Sequence, residues 1–232
     1  MIEPTVWRTA TVASVAHPSP RLAILRLELA DRPVHVPGQH YVVRLTAEDG
    51  YTASRSYSVA SAPSDPLIEL AVERLEEGEV SGYLADVVEP GDDLEVRGPI
   101  GGWFIWDATT PAVGVGGGTG VVPFVSMLRH ATEIGRTDLL RLAVSARTTV
   151  DLPYADELVE AGALVAITRQ PTPPPNRPTG RLTAADLAPL LTPGATYFVC
   201  GSAAFAEAAT QLLIGVGVGA PAIKVERFGP SG

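Results

Sequence analysis

Cysteine occurs once, at Cys200, in a chain of 232 residues. An internal disulfide therefore cannot form, and no iron–sulfur cluster or zinc site built on several thiolates can be assembled from this chain alone. Lysine is almost as scarce: the 17 basic residues are 16 arginines and Lys224. Set against 26 acids they leave a formal charge of −9, which argues against broad electrostatic binding to nucleic acid. Long apolar runs are missing too. The longest, Leu212–Ala220, is about half a membrane span and is broken by Gly215, Gly217 and Gly219. The start, Met1–Ala10, carries Glu3, Pro4 and Arg8 and lacks the apolar centre of a signal peptide, so a soluble cytoplasmic protein is expected.

What is present is enough to fold without staples. Hydrophobic residues make up 46% of the chain. A protein of this mass exposes about 10,000 Å² folded against roughly 35,000 Å² unfolded. The two halves differ in rhythm. Up to about Trp106, short β-rich runs alternate with Pro, Gly and Asp: Arg21–Leu29, Tyr41–Leu45, Ser54–Ala60, Leu67–Leu75 and Leu94–Arg97. That spacing predicts an antiparallel Greek-key barrel or sandwich, interrupted by one short helix over Ser81–Val88 with Ser81 as N-cap.

From Ala112 the pattern becomes strand, helix, strand. Ala112–Val115, Leu140–Ser145, Leu164–Thr168 and Tyr197–Cys200 read as buried parallel strands. Helices are predicted over Val121–Ile134, Tyr154–Ala161, Thr183–Leu190 and Ala203–Ile214. This is the signature of a doubly wound α/β domain whose ligand sits at the carboxyl ends of its strands. The boundary is placed in Asp107–Pro111, giving domains 1–106 and 107–232. The first holds 16 acids and 8 arginines, the second 10 acids and 9 bases, so the second is the better host for an anion. Gln170–Gly180 (QPTPPPNRPTG) reads as a stiff polyproline loop.

Two clusters bear chemistry. Gly114–Pro123 (GVGGGTGVVP) follows a strand and opens a helix, where glycines admit a pyrophosphate to backbone N–H groups and the helix start favours its charge; a turn needing positive φ would also use them. The cluster lacks the Lys-Ser/Thr of a P-loop, which argues against ATP hydrolysis. Arg55-Ser56-Tyr57-Ser58 lies on a strand, where Arg55 and Tyr57 share one face and could bind a phosphate and cover a flat ring; an ordinary exposed edge strand is the alternative.

Taken in order, Pro37-Gly38-Gln39, Arg55-Ser56-Tyr57-Ser58, Gly78-Glu79-Val80-Ser81, Gly98-Pro99-Ile100-Gly101, Gly116–Pro123, Val199-Cys200-Gly201 and Val225-Glu226-Arg227-Phe228 resemble the ferredoxin–NADP reductase family of flavoproteins over nearly the whole length. The resemblance implies an FAD-binding β-barrel, 1–106, and an NAD(P)-binding α/β domain, 107–232. Arg55 would contact the FAD pyrophosphate with Ser56 beside it. Tyr57 would lie along the flavin, and Ser58 would hydrogen-bond near flavin N5. Glu79, Val80 and Ser81 would hold the pyrophosphate from the start of the short helix. Ala71, Val72 and Glu73 would contact FAD through backbone, and Thr119 would sit where both cofactors meet. Gly118, Thr119, Gly120 and Gly201 would hold NAD(P).

Cys200 ends a buried strand, where a cysteine is commonly a small core residue; the resemblance places it facing nicotinamide C4, packing the ring without covalent attack. Glu226 reads as a strand residue facing solvent, and by resemblance as a group near the nicotinamide. Phe228 would stack on the flavin, with Gly229–Gly232 following it where plant-type members end on a Tyr. Arg147, Arg169 and Arg181 follow strands or loops at the ligand edge and match positions of arginines in NADPH-using bacterial members, so NADPH is the expected donor. His17, His35, His40 and His130 show no metal-ligand spacing and read as surface or structural, and no metal site is expected.

The resemblance thus implies an FAD-dependent oxidoreductase. By that resemblance hydride would pass from NAD(P)H to FAD N5 in the interdomain cleft, with Ser58, Cys200 and Glu226 as the catalytic set. The electron acceptor would be a separate molecule: a ferredoxin, a cytochrome-like protein, or an oxygenase or molybdenum-enzyme partner. No nucleic acid or membrane partner is expected. The alternatives are a reductase of diffusible flavin or ferric iron, and a non-enzymatic FAD-storage protein or inert subunit.

Overall fold

The computed structural model describes residues 6–170 and 179–229. The polyproline reading at 171–178 therefore lies outside the described residues. The chain divides into two compact units, Met1–Ile105 and Trp106–Gly232.

In the first unit six strands form one antiparallel sheet: β1 (Arg8–Ser19), β2 (Leu22–Glu28), β3 (His40–Thr46), β4 (Thr52–Ser58), β5 (Ile68–Glu73) and β6 (Asp93–Ile100). Their order is β4-β3-β6-β1-β2-β5. The edge strands meet through one bridge, Val59–Leu70, and the Ala60 N–H donates to the Glu69 carbonyl at 2.8 Å, closing the sheet into a barrel. Around that barrel β3, β4 and β5 follow one another and β6 returns beside β3, which is a Greek key. Period-two alternation fills the interior: Tyr41 and Val43 of β3, Leu25 and Leu27 of β2, and Leu70 and Val72 of β5 are all buried.

A short helix, α1 (Glu79–Asp86), plugs the barrel with Val80 and Leu84. It begins two residues before the predicted Ser81. Gly78 is its N-cap and no side chain caps it. Ser81 lies instead in the first turn, where its Oγ accepts from the Leu75 N–H at 3.3 Å and donates to the Gly78 carbonyl at 3.4 Å. The serine pins the preceding loop and leaves the helix start open. A Cβ at position 78 would stand 2.2 Å from Ser81 Oγ and 3.0 Å from Leu75 Cβ, so a larger residue there would have to turn the serine away from the loop.

The second unit has five parallel strands: β7 (Ala112–Gly117), β8 (Leu140–Ala146), β9 (Leu164–Ile167), β10 (Thr196–Ser202) and β11 (Ile223–Phe228). Helices α2 (Val122–Glu133), α3 (Ala155–Glu160), α4 (Ala184–Leu187) and α5 (Ala203–Gly215) connect them. The strand order β11-β10-β7-β8-β9 reverses direction between β7 and β10. On one face Val113 and Val115 pack with Leu187 of α4 and Ala206, Ala209 and Leu213 of α5. On the other, Gly114 and Gly116 admit the Phe124 ring of α2. Helices thus cover both faces, as a doubly wound sheet requires.

The helix predicted over Thr183–Leu190 is shorter than expected. Thr183 caps it in a capping box with Asp186, but after Leu187 it tightens to a 3₁₀ turn, Ala188–Leu190. Pro189 lies in that turn and has no N–H to continue α-helical bonding. Among the described residues no helix is long and apolar enough to cross a membrane.

Candidate functional site

The barrel is sealed between β4 and β5 only at Val59–Leu70. Beyond that bridge, β4 pairs with β3 alone and β5 with β2 alone among the described residues, so the wall opens. Three sequence motifs converge on the opening: Arg55–Ser58 on β4, Ala71–Glu73 on β5, and the first turn of α1, which packs against both strands. The N–H groups of Glu79, Val80 and Ser81 have no carbonyl one turn back to bond; the first helical bond runs from the Gly82 N–H to the Gly78 carbonyl at 2.7 Å. They form a positive end suited to an anion.

Arg55 is exposed and donates from Nη1 to the Ser54 carbonyl at 2.8 Å. Tyr57 turns to the same face and packs on the barrel core. Its hydroxyl is buried without a hydrogen-bond partner, and burial pushes the phenol above its ordinary range. A buried donor left unmade costs about 1–3 kcal/mol, and a polar ligand in the opening would relieve it. Unpaired β-edges, free helix N–H groups, an arginine and an orphan hydroxyl all fit a flavin dinucleotide.

In the second unit the candidate residues line the carboxyl edge of the sheet. Gly118, Thr119 and Gly120 form the 3₁₀ turn Gly118–Val121 between β7 and α2. The glycines there divide by cause. Gly114 and Gly116 make room for Phe124, and Gly117 and Gly201 make room for Phe205. Gly120 lies against β10, where a Cβ would meet the Cys200 carbonyl oxygen at 2.2 Å. Gly118 alone combines positive φ, +56°, with open space. Most of the cluster therefore serves close packing, and Gly118 is the position in it with the open, positive-φ geometry that the phosphate reading requires.

The three arginines meet at the same edge. The Arg169 N–H donates to the Arg147 carbonyl at 2.8 Å, and the Gly180 N–H donates to the Ile167 carbonyl at 2.8 Å, drawing Arg181 alongside. All three are exposed.

Cys200 stands between Gly116 of β7 and Glu226 of β11 in the ladder. It is 1% exposed. Burial, and secondarily the facing Glu226 carboxylate, push its thiol far above the ordinary value, so it is no nucleophile. Glu226 is half-buried rather than solvent-facing, and burial raises its carboxyl to about 7.

The folded state therefore holds this proton more tightly than the unfolded chain does, and stability present below pH 4.5 is lost as pH rises toward 7. Glu226→Gln is expected to stabilise the cofactor-free protein at pH 8 by about 1 kcal/mol, the figure discounted for partial exposure. At pH 4 it should change nothing. Thermal melts at both values check the sign.

Phe228 ends β11 opposite Ser202 and is 41% exposed. Two neighbours of the RSYS motif escape a reading of motifs alone. His40, taken with the other histidines as surface or structural, is half-buried directly across from Ser58, and burial lowers its pKa. Tyr51 donates its hydroxyl to Glu79 Oε2 at 3.1 Å, tying the β3–β4 hairpin to α1. Counting strand partners back from the Glu48-Asp49-Gly50 turn would have found the first.

Two family models match the chain: an oxidoreductase FAD-binding domain over residues 9–105 and an oxidoreductase NAD-binding domain over residues 115–211. The chain is similar to the ferredoxin–NAD(P)+ reductase component of naphthalene 1,2-dioxygenase/salicylate 5-hydroxylase systems from Ralstonia sp., with 30% identity over 100% of this chain and 72% of that one. It is also 30% identical to the reductase component of propane 2-monooxygenase from Rhodococcus jostii, over 83% of this chain, and spans 55% of that relative's length. Among solved structures, a cytochrome P450 reductase of Amycolatopsis matches with a TM-score of 0.80 and 27% identity, covering 98% of this chain and 71% of that one. An open barrel edge, a doubly wound sheet and these matches in one order have a single meaning: the chain belongs to the ferredoxin–NADP reductase family of FAD- and NAD(P)-binding oxidoreductases.

Proposed function

We propose that this protein is the NADPH-oxidising, FAD-dependent reductase of an electron-transfer system, serving a separate acceptor. The observation that carries the reading is the opening between β4 and β5, where Arg55, the orphan Tyr57 hydroxyl and the bare first turn of α1 converge. FAD held there would supply the chemistry, a two-electron hydride acceptor toward the reduced nicotinamide and an electron donor toward the acceptor. Arg55 and the N–H groups of Glu79, Val80 and Ser81 neutralise the pyrophosphate, with Ser56 beside them. Ala71, Val72 and Glu73 contribute backbone from the unpaired edge of β5. Tyr57 supports the flavin, and Ser58 supplies the hydrogen bond at N5. Thr119 and Phe228 are the further FAD contacts.

Gly118, Thr119, Gly120 and Gly201 bind the coenzyme pyrophosphate, and Cys200 packs the nicotinamide as a neutral thiol. Glu226, whose carboxyl burial raises to about 7, would supply a hydrogen bond and a proton route to the flavin that accepts the hydride. Arg147, Arg169 and Arg181 recognise the 2′-phosphate, which selects NADPH. The acceptor is a protein of an oxygenase system, by analogy with the Ralstonia and Rhodococcus relatives, which are reductase components. It would be a ferredoxin, a cytochrome-like protein or the oxygenase itself; a molybdenum enzyme is the remaining class.

Anaerobic titration of the as-purified protein tests the core of this reading. NADPH should bleach the bound flavin at lower concentration than NADH, and bleaching by neither would leave a flavin-storage protein. FAD that dissociates freely would favour a reductase of diffusible flavin. Ser58→Ala should slow flavin reduction roughly tenfold, the worth of one hydrogen bond, while FAD stays bound. An unaltered stopped-flow rate would remove Ser58 from the mechanism.

A further inference from the structure

We propose that Tyr51 is the platform on which the adenine ring of FAD stacks, and that it sets the preference of this protein for FAD over FMN. The inference rests on assigning the β4–β5 opening to FAD.

Tyr51 closes the loop between β3 and β4. Its carbonyl accepts from the Ala47 N–H at 2.8 Å and its own N–H donates to Asp49 Oδ1 at 3.0 Å, so its backbone is fixed at both ends. The side chain is fixed as well, by the 3.1 Å hydrogen bond from its hydroxyl to Glu79 Oε2. Yet 57% of the residue remains exposed, in a unit that buries Tyr41 completely. Glu79 is the first residue of α1, the helix end assigned to the pyrophosphate. The charge of Arg55 also acts on the Tyr51 phenol, so the ring and the guanidinium share this side of the barrel.

A ring anchored by its backbone and its far hydroxyl has little rotamer freedom left to lose, which makes it a low-cost stacking surface. The adenine end of FAD lies beyond the pyrophosphate, and FMN has no counterpart to it. A stack at Tyr51 therefore strengthens FAD binding and leaves FMN binding unchanged. A simple latch, in which the Tyr51–Glu79 bond only ties the hairpin to α1, would treat the two flavins alike.

The test titrates cofactor-free protein with FAD and with FMN, following quenching of tryptophan fluorescence. The parent should bind FAD more tightly than FMN. Tyr51→Ala should lose about tenfold in FAD affinity, in line with the loss of one base–aromatic stack, with FMN affinity unchanged. Tyr51→Phe keeps the ring, loses the bond to Glu79, and should stay within about twofold for both flavins. The proposal is overturned if Tyr51→Ala weakens both flavins equally, if Tyr51→Phe falls as far as Tyr51→Ala, or if FAD affinity does not move. A parent protein that binds neither flavin would instead remove the FAD reading, and this inference with it.

Discussion

Gly120→Ala is expected to destabilise this protein by about 3 kcal/mol, the upper range for overpacking a rigid site. The added methyl would stand 2.2 Å from the Cys200 carbonyl oxygen, 2.6 Å from the carbonyl carbon and 2.8 Å from Gly201 Cα. All three are backbone atoms of β10, which is held in the sheet between β7 and β11. No side chain can rotate away, so the turn must lift and carry the start of α2 with it. Calorimetry should show a melting temperature lower by roughly 10 °C, since each kcal/mol moves a protein of this size by about 2–4 °C. Gly118→Ala is the control. It meets open space but sits at φ +56°, and should cost only about 1 kcal/mol. Equal melting temperatures for parent and Gly120→Ala would dismiss the close approach as a determinant of the turn.

Replacing Arg147 and Arg169 together by alanine is expected to lower kcat/KM for NADPH roughly a hundredfold and leave NADH within about twofold. The two guanidiniums leave adjacent strand ends joined by the 2.8 Å bond from the Arg169 N–H to the Arg147 carbonyl. A charge-assisted hydrogen bond contributes about 1.5–3 kcal/mol, and two partly solvated ones together near 3 kcal/mol. NADH lacks the 2′-phosphate and gains from neither. Steady-state kinetics with both coenzymes reads the ratio directly, and an unchanged preference would discard the 2′-phosphate assignment. Arg181 is left in place as the third member, brought to the edge by the Gly180–Ile167 bond.

How much of this was legible in the sequence depended on the physical cause at each position. Short β-rich or apolar runs of four to nine residues located β2 through β10, because burial on one or both sheet faces leaves a periodic trace. β1 left none: only Ala10 and Val12 of its twelve residues are buried, and its register shifts twice against β2. Ser81 reads as a cap because serine favours caps, but its hydroxyl accepts from the Leu75 N–H in the loop before the helix, a tertiary contact with no local signature. The strand–turn–helix setting of the glycine cluster was readable. Which glycines yield to Phe124, Phe205 or the Cys200 carbonyl was not, because those partners come from elsewhere in the chain. The convergence of Arg55, Ala71 and Glu79 likewise depends on where the barrel stops being paired, and a one-dimensional pattern carries no such stop.

The placement of β6 also fixes an order of assembly. Strands β1 and β3 do not pair with each other; each pairs with β6, which lies between them. On the ribosome, the β1–β2 and β3–β4 hairpins therefore emerge as separate ribbons, and apart from the Val59–Leu70 bridge nothing in the ladder joins them until Asp93–Ile100 has left the exit tunnel. Nascent chains that stall before that point expose two uncovered sheet edges, the kind of surface that chaperones hold.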